Sequence, residues 1–245
     1  MATTSVKAAQ KVDRIRLAMD PGLRSRGGRA DRLSKLVLER MTRKQASWGS
    51  DISVIDSSTA QLPMIIRRAK AFEVAMLEIP IAIEEDDLIV GNSVRDGVIV
   101  RTQLPGYATA GEHDQAGAEG SQISAQLSHK TPYYYEVLDR GLSGIIADID
   151  GKIGEVAGRP QSAKGDETLD WLRAMRLQSG AVIAMAHRYA DLADELAAGA
   201  ATPERKDELR KIAQVCRHVP EHSPRTFHEA VQCFWFIHFA LFSTQ

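Results

Sequence analysis

The chain has 245 residues, carries 31 Lys+Arg against 32 Asp+Glu, and is 44% hydrophobic. That supply of apolar residues excludes a disordered protein, two cysteines exclude a disulfide scaffold, and a net charge of -1 provides no field for capturing a polyanion. By length the chain is one large domain or two small ones.

The N-terminus contains no continuous apolar run and is not a secretory signal. Residues 1–48 hold 12 Lys+Arg and 4 Asp+Glu, and Arg24-Ser25-Arg26-Gly27-Gly28-Arg29 reads as a basic loop. Residues 1–29 are therefore expected to form a flexible basic segment. No aromatic residues interleave with these cations for base stacking, so no nucleic-acid partner is expected.

Residues 30–47 place Leu33, Leu36, Val37, Arg40 and Met41 on one helical stripe. Residues 58–78 place Leu62, Ile65, Ile66, Ala69, Phe72 and Met76 on a second, which Pro80 ends. The acidic cluster Glu84-Glu85-Asp86-Asp87 reads as a solvated turn. Leu88-Ile89-Val90 and Val98-Ile99-Val100 read as short strands, with Asp96-Gly97 as a hairpin turn. Residues 103–131 read as a long loop with one helix near 112–118, a length that usually marks function.

From Thr131 the chain turns helical again. Thr131-Pro132 has the form of an N-cap followed by a first-turn proline, opening a helix through Val137, Leu138, Leu142, Ile145, Ile149 and Ile153 that Gly158-Arg159-Pro160 stops. Gly141-Leu142-Ser143-Gly144 within it reads as a packing pattern. A long helix is expected over 166–198, and a third runs from Thr202-Pro203-Glu204 to about His218, ended by Val219-Pro220. Thr226 and Glu229 have capping-box spacing for the last helix. The total, about seven helices and two or three short strands, is a mainly α chain with a small β component.

The last helix is unusual. Ten of the twelve residues 231–242 are apolar. A helix that is apolar all round needs neighbours on every side, and a membrane span needs ~20 such residues. No membrane partner is expected; the chain is expected to be the front part of a longer protein.

No GxGxxG, P-loop or GxSxG pattern is present. In His228-Glu229-Ala230-Val231-Gln232, glutamine stands where a zincin helix has its second metal-binding histidine. Cys216, His218, His222, His228, Cys233 and His238 have the chemistry of zinc ligands. Pro220, however, breaks the helical spacing of His218 and His222, and Cys233 and His238 fall in the apolar helix. No metal site is expected, and both cysteines read as small buried apolar residues. His129 lies at the end of the long loop, at a helix entrance. There it can orient or protonate a substrate, or else bond the loop structurally. His187 in mid-helix reads as a surface or packing residue.

Several segments in order resemble the N-terminal region of the glycyl radical enzymes, the pyruvate formate-lyase-like family. They are Arg67-Arg68-Ala69-Lys70-Ala71-Phe72 with Ile79-Pro80-Ile81-Ala82-Ile83; Asp86-Asp87-Leu88-Ile89-Val90-Gly91-Asn92; Ser128-His129-Lys130-Thr131-Pro132-Tyr133-Tyr134 with Gly141-Leu142-Ser143-Gly144; and His218-Val219-Pro220 with Pro224 to Gln232 and Trp235-Phe236. The resemblance implies a ten-stranded α/β barrel wrapped in helices, of which residues 30–245 form an incomplete N-terminal part. It also implies a glycyl radical, installed by a radical SAM activating enzyme, that generates a thiyl radical on a cysteine. That thiyl takes hydrogen from a small organic substrate, as in the family's lyases, dehydratases and decarboxylases.

Cys216 and Cys233 do not match the family's cysteine loop, and no Arg-Val-x-Gly-Tyr-like glycine loop is present. This chain alone is therefore expected to be inactive, with no catalytic residue or cofactor of its own. By resemblance, His129 is carried over as a substrate contact. The expected partners are the remainder of the enzyme and the activase, with homodimerisation when complete, in an anaerobic cytoplasm. The alternatives are one subunit of a split enzyme and a stand-alone helical interaction domain.

Overall fold

The structure, a computed structural model, describes residues 28–123 and 132–242. Among these residues the elements are α1 (Gly28–Thr42), β1 (Ala46–Trp48), α2 (Met64–Glu78), β2 (Val94–Arg95), β3 (Val98–Thr102), α3 (Ala110–Ala118), α4 (Tyr134–Ala157), α5 (Ala163–Ala198), α6 (Pro203–His218) and α7 (Phe227–Phe242). Seven helices and three strands match the mainly α expectation. No described helix is long and apolar enough to cross a membrane.

The 36-residue α5 is the central strut. Ala181, Ala186, Ala190, Ala193 and Ala197 are buried along it beside Val182, Met185 and Tyr189. Small side chains let neighbouring helices approach closely, and α2, α4 and α6 pack on α5. The core joins Met76 and Ile79 to Met185, Tyr189, Ile212, Val215 and Phe236. Each fully buried side chain of this size contributes roughly 1.5–3 kcal/mol of transfer free energy.

The sheet is small, with order β1-β3-β2. β1 pairs with β3 in parallel, Ala46 opposite Val100, and β2 pairs with β3 antiparallel, Val94 opposite Ile99. The hairpin turn is Asp96-Gly97, with φ of 53° and 70°; positive φ at both positions gives the turn the twist that a two-residue hairpin favours.

Several local expectations need correction. The first helix starts at Gly28 and stops at Thr42, and Ala46–Trp48 form a strand instead of extending it. The second begins at Met64, behind Pro63, rather than at 58. The strand expected at 88–90 lies at Val94–Arg95, because the Leu88-Ile89-Val90 backbone bonds to side chains instead of to a neighbouring strand. Pro132 precedes the α4 cap, Tyr133, rather than occupying the first turn. Thr131 lies outside the described residues.

Gly141 is the most consequential correction, since it breaks α4 with φ 69° and ψ 170°. The break frees two N–H groups, and Leu142 and Ser143 donate them to the carbonyls of Pro220 and Glu221 at 2.8 and 2.9 Å. A Cβ on Gly141 would lie 2.4 Å from the Glu221 carbonyl oxygen, so only glycine fits.

Helix caps were legible in sequence. The hydroxyls of Thr202 and Thr226 accept from Arg205 N and Glu229 N, both at 3.2 Å. The reciprocal half of the second box is shifted: Glu229 accepts from the N–H of Arg225 at 2.6 Å rather than from Thr226.

The terminal α7 is not enclosed on all sides. Glu229, Gln232, Cys233, Phe236 and Ala240 face the core, whereas Phe234 is 40% exposed.

Candidate functional site

The segment from Glu84 to Asn92 is almost without regular structure, and a backbone left bare in a protein interior is unfavourable. Side chains from three helices satisfy it. From α6, Arg205 donates to the Glu84 and Asp87 carbonyls at 2.7 and 2.9 Å. From α7, His228 donates to Leu88 O at 3.0 Å and Trp235 to Gly91 O at 3.1 Å. Gln232 bonds both the N–H and the C=O of Val90, at 2.8 and 2.7 Å. From α5, the Tyr189 hydroxyl donates to Asn92 O at 2.8 Å. Gly91 is required here as well: at φ 139°, a Cβ would lie 2.5 Å from the Trp235 ring.

The acidic residues of this segment are not simply solvated. Glu84 pairs with Arg40, and Asp86 with Arg32. Arg29 reaches Glu208 at 2.6 Å, tying the start of α1 to α6. Asp87 is buried, and desolvation raises its pKa above the usual carboxylate value. Its carboxylate accepts from Glu84 N at 2.9 Å and from the Asn92 amide at 3.5 Å.

Behind this segment lies a cavity of about 510 Å³, within the range of small-molecule pockets. Leu33, Leu36 and Val37 of α1 wall one side, Ile99 to Thr102 of β3 another, and Trp235, His238 and Phe239 of α7 a third. Arg40 reaches it from α1; in sequence it was the one charged residue on an otherwise apolar stripe. Its Nε and the hydroxyl of Ser93 are buried without a hydrogen-bond partner among the described residues.

The sequence-derived candidates are dispersed. His129 lies outside the described residues. His218 donates to Ser223 O at 2.8 Å, the His222 ring meets the Ser143 hydroxyl at 3.3 Å, and His238 meets the Tyr134 hydroxyl at 3.4 Å. His187 is on the surface, 3.0 Å from Glu221. Cys216 and Cys233 are buried in the core, and desolvation drives both thiol pKa values up, that of Cys233 to about 12. Among the described residues no group of three or more His, Cys, Asp and Glu is arranged to hold a metal ion.

A family profile described as pyruvate formate lyase-like matches residues 112–245. The isethionate sulfite-lyase of Nitratidesulfovibrio vulgaris is 42% identical over 104 residues, which is 42% of this chain and 12% of that protein. The trans-4-hydroxy-L-proline dehydratase of Clostridioides difficile is 29% identical over 102 residues, 42% of this chain and 13% of that one. Among solved structures, a Roseburia inulinivorans protein studied for 1,2-propanediol dehydration superposes with a TM-score of 0.68 at 24% identity, covering 86% of this chain and 33% of that chain. The chain thus spans about a third of the length of that structural neighbour.

Proposed function

Because the chain belongs to the pyruvate formate lyase-like family of glycyl radical enzymes, we propose that it is the N-terminal part of a glycyl radical lyase or dehydratase, acting on a small organic substrate by thiyl-radical hydrogen abstraction. In this reading residues 30–245 supply outer helices and the first strands of an incomplete ten-stranded barrel. Residues 1–29 precede them as a basic segment. The thiyl cysteine and the radical glycine come from further polypeptide, continuous with this chain or a second subunit. His129 is the substrate contact in this reading.

The observation that carries the proposal is the state of the two cysteines. A thiyl radical has to meet its substrate, and Cys216 and Cys233 are sealed in the apolar core. A family member whose own thiols are inaccessible depends on a cysteine from elsewhere. The one-third coverage of the structural neighbour supports the same reading, as does the exposed side of α7, an apolar surface available to further polypeptide. A radical SAM activase, homodimerisation of the complete enzyme, and an anaerobic cytoplasmic setting belong to the proposal as well.

Anaerobic activation followed by EPR tests it. The 245-residue chain with an activase gives no glycyl doublet, and adding the polypeptide that carries the cysteine and glycine loops produces one. A doublet from this chain alone overturns the reading.

A further inference from the structure

The two ends of α1 are attached differently. At the C-terminal end Arg40 is buried and paired with Glu84. Three residues beyond Thr42 the chain enters β1, which β3 fixes by parallel pairing. At the N-terminal end Arg29 reaches Glu208 and Asp86, and Arg32 reaches Asp86, through side chains that are half-buried or exposed. Among the described residues, every hydrogen bond that α1 makes with distant parts of the chain comes from an arginine side chain.

The apolar stripe of α1 does not replace these ties. Leu33, Leu36 and Val37 line the cavity of about 510 Å³ instead of filling it, and Val37 and Met41 are largely exposed. Protein interiors are close-packed, and a helix standing over empty space forfeits the dispersion contacts that would hold it there. Exposed ion pairs add little attachment. A segment held in this way opens locally far more often than the core unfolds. The opposite side of the cavity is held independently of α1. Arg205, Gln232 and Tyr189 bond the backbone of the 84–92 segment, and Phe236 and Tyr189 fix α7 against α5 in the core.

We propose that α1 is a hinged lid over this cavity, latched at its N-terminal end by Arg29 and Arg32 on Glu208 and Asp86. The hinge is residues 43–45, beside the buried Arg40–Glu84 pair. Opening releases the exposed pairs, carries Leu33 and Leu36 away, and uncovers the wall of Ile99, Trp235 and Phe239, while the 84–92 segment stays in place. Ionic strength sets the latch, because the pairs that break are the ones that solvent reaches. The device does not depend on the radical chemistry proposed above and can be tested in the 245-residue chain without activation.

The experiment places a thiol on each side of the cavity, Leu36→Cys on the lid and Ile99→Cys on the opposite wall, in separate variants. Each is labelled with a neutral maleimide carrying a polyethylene glycol chain, too bulky for the closed cavity, and the sites are read by mass spectrometry. The buried Cys216 and Cys233 report global unfolding in the same sample. Both introduced thiols react before Cys216 and Cys233. Their rates rise about three- to tenfold from 0.05 to 1 M NaCl, the change expected from losing two exposed ion pairs. The double substitution Arg29→Gln with Arg32→Gln gives the same rise at low salt and leaves little for added salt to do. Three results overturn the proposal: rates that neither salt nor the double substitution changes, introduced thiols that react only together with Cys216 and Cys233, or acceleration at Leu36→Cys without acceleration at Ile99→Cys. The last would mean that α1 frays without uncovering the cavity.

Discussion

The carboxamide of Gln232 holds Val90 as a neighbouring strand would, taking the N–H at 2.8 Å and supplying its own N–H to the carbonyl at 2.7 Å, across 142 residues of sequence. Gln232 is 1% exposed, so water cannot replace it. Replacing Gln232 with leucine keeps the volume and strands two backbone groups in the core. At roughly 1–3 kcal/mol for each unsatisfied buried group, Gln232→Leu is expected to destabilise by about 2–6 kcal/mol in urea unfolding. A midpoint within experimental error of the parent would show that the clamp contributes nothing.

The helices were legible because apolar periodicity, Thr caps and proline stops are local signals. Pro203 after Thr202 and Gly158 after Ala157 mark real boundaries. The 84–92 segment was not legible, because its backbone partners come from α5, α6 and α7, between 97 and 144 residues away. An apolar Leu88-Ile89-Val90 triplet looks the same whether a strand or a glutamine satisfies it. Arg40 was the one hint of the cavity visible in sequence, a cation on an apolar stripe that has to be buried with a partner. Ser93 gave no signal at all.

Gly141 and Gly151 lie in the same helix and should respond in opposite directions. Gly141 has φ 69°, and a Cβ there meets the 221–222 backbone; Gly151 is helical with open space around it. Gly141→Ala is expected to destabilise by at least about 1–3 kcal/mol, through positive φ and collision. Gly151→Ala should stabilise by roughly 0.5–1 kcal/mol through helix propensity. Paired thermal melts measure both, and a neutral Gly141→Ala would mean that the α4 break is not fixed.

Glu229 titrates in a stability-relevant window. Hydrogen bonding to the Arg225 guanidinium, then to its N–H, holds the carboxyl pKa at about 2 against an ordinary 4.5. Because the folded value is depressed, the pair stabilises fully above about pH 4.5, and its contribution is lost as pH falls towards 2. Discounted for the exposed Arg225, the effect is about 1–2 kcal/mol. Urea midpoints measured from pH 5 to pH 3 should fall further for the parent than for Glu229→Gln, in which this position no longer titrates. Parallel curves would remove Glu229 as the cause.

The α1 helix is attached mainly by charge. Arg40 is its one buried residue, and Val37 and Met41 are largely exposed. Arg29, Arg32 and Arg40 pair with Glu208, Asp86 and Glu84, respectively. At 1 M salt the screening length falls to ~3 Å, so the exposed Arg32 pair and the half-buried Arg29 pair weaken while the core is unaffected. Hydrogen exchange of α1 amides is expected to accelerate from 0.05 to 1 M NaCl, with α5 amides unchanged. Uniform protection in α1 at both concentrations would assign its anchoring to Leu33 and Leu36 instead.

The two thiols provide a final check that bears on the proposed chemistry. Cys216 and Cys233 are buried, and both pKa values are raised by desolvation, so at pH 8 almost no thiolate is present in the native state. Alkylation by iodoacetamide should proceed only through unfolding, at a rate that tracks global stability, with both cysteines modified together in urea. Fast labelling of Cys233 alone under native conditions would show an open route to α7 and would make that thiol a candidate radical carrier.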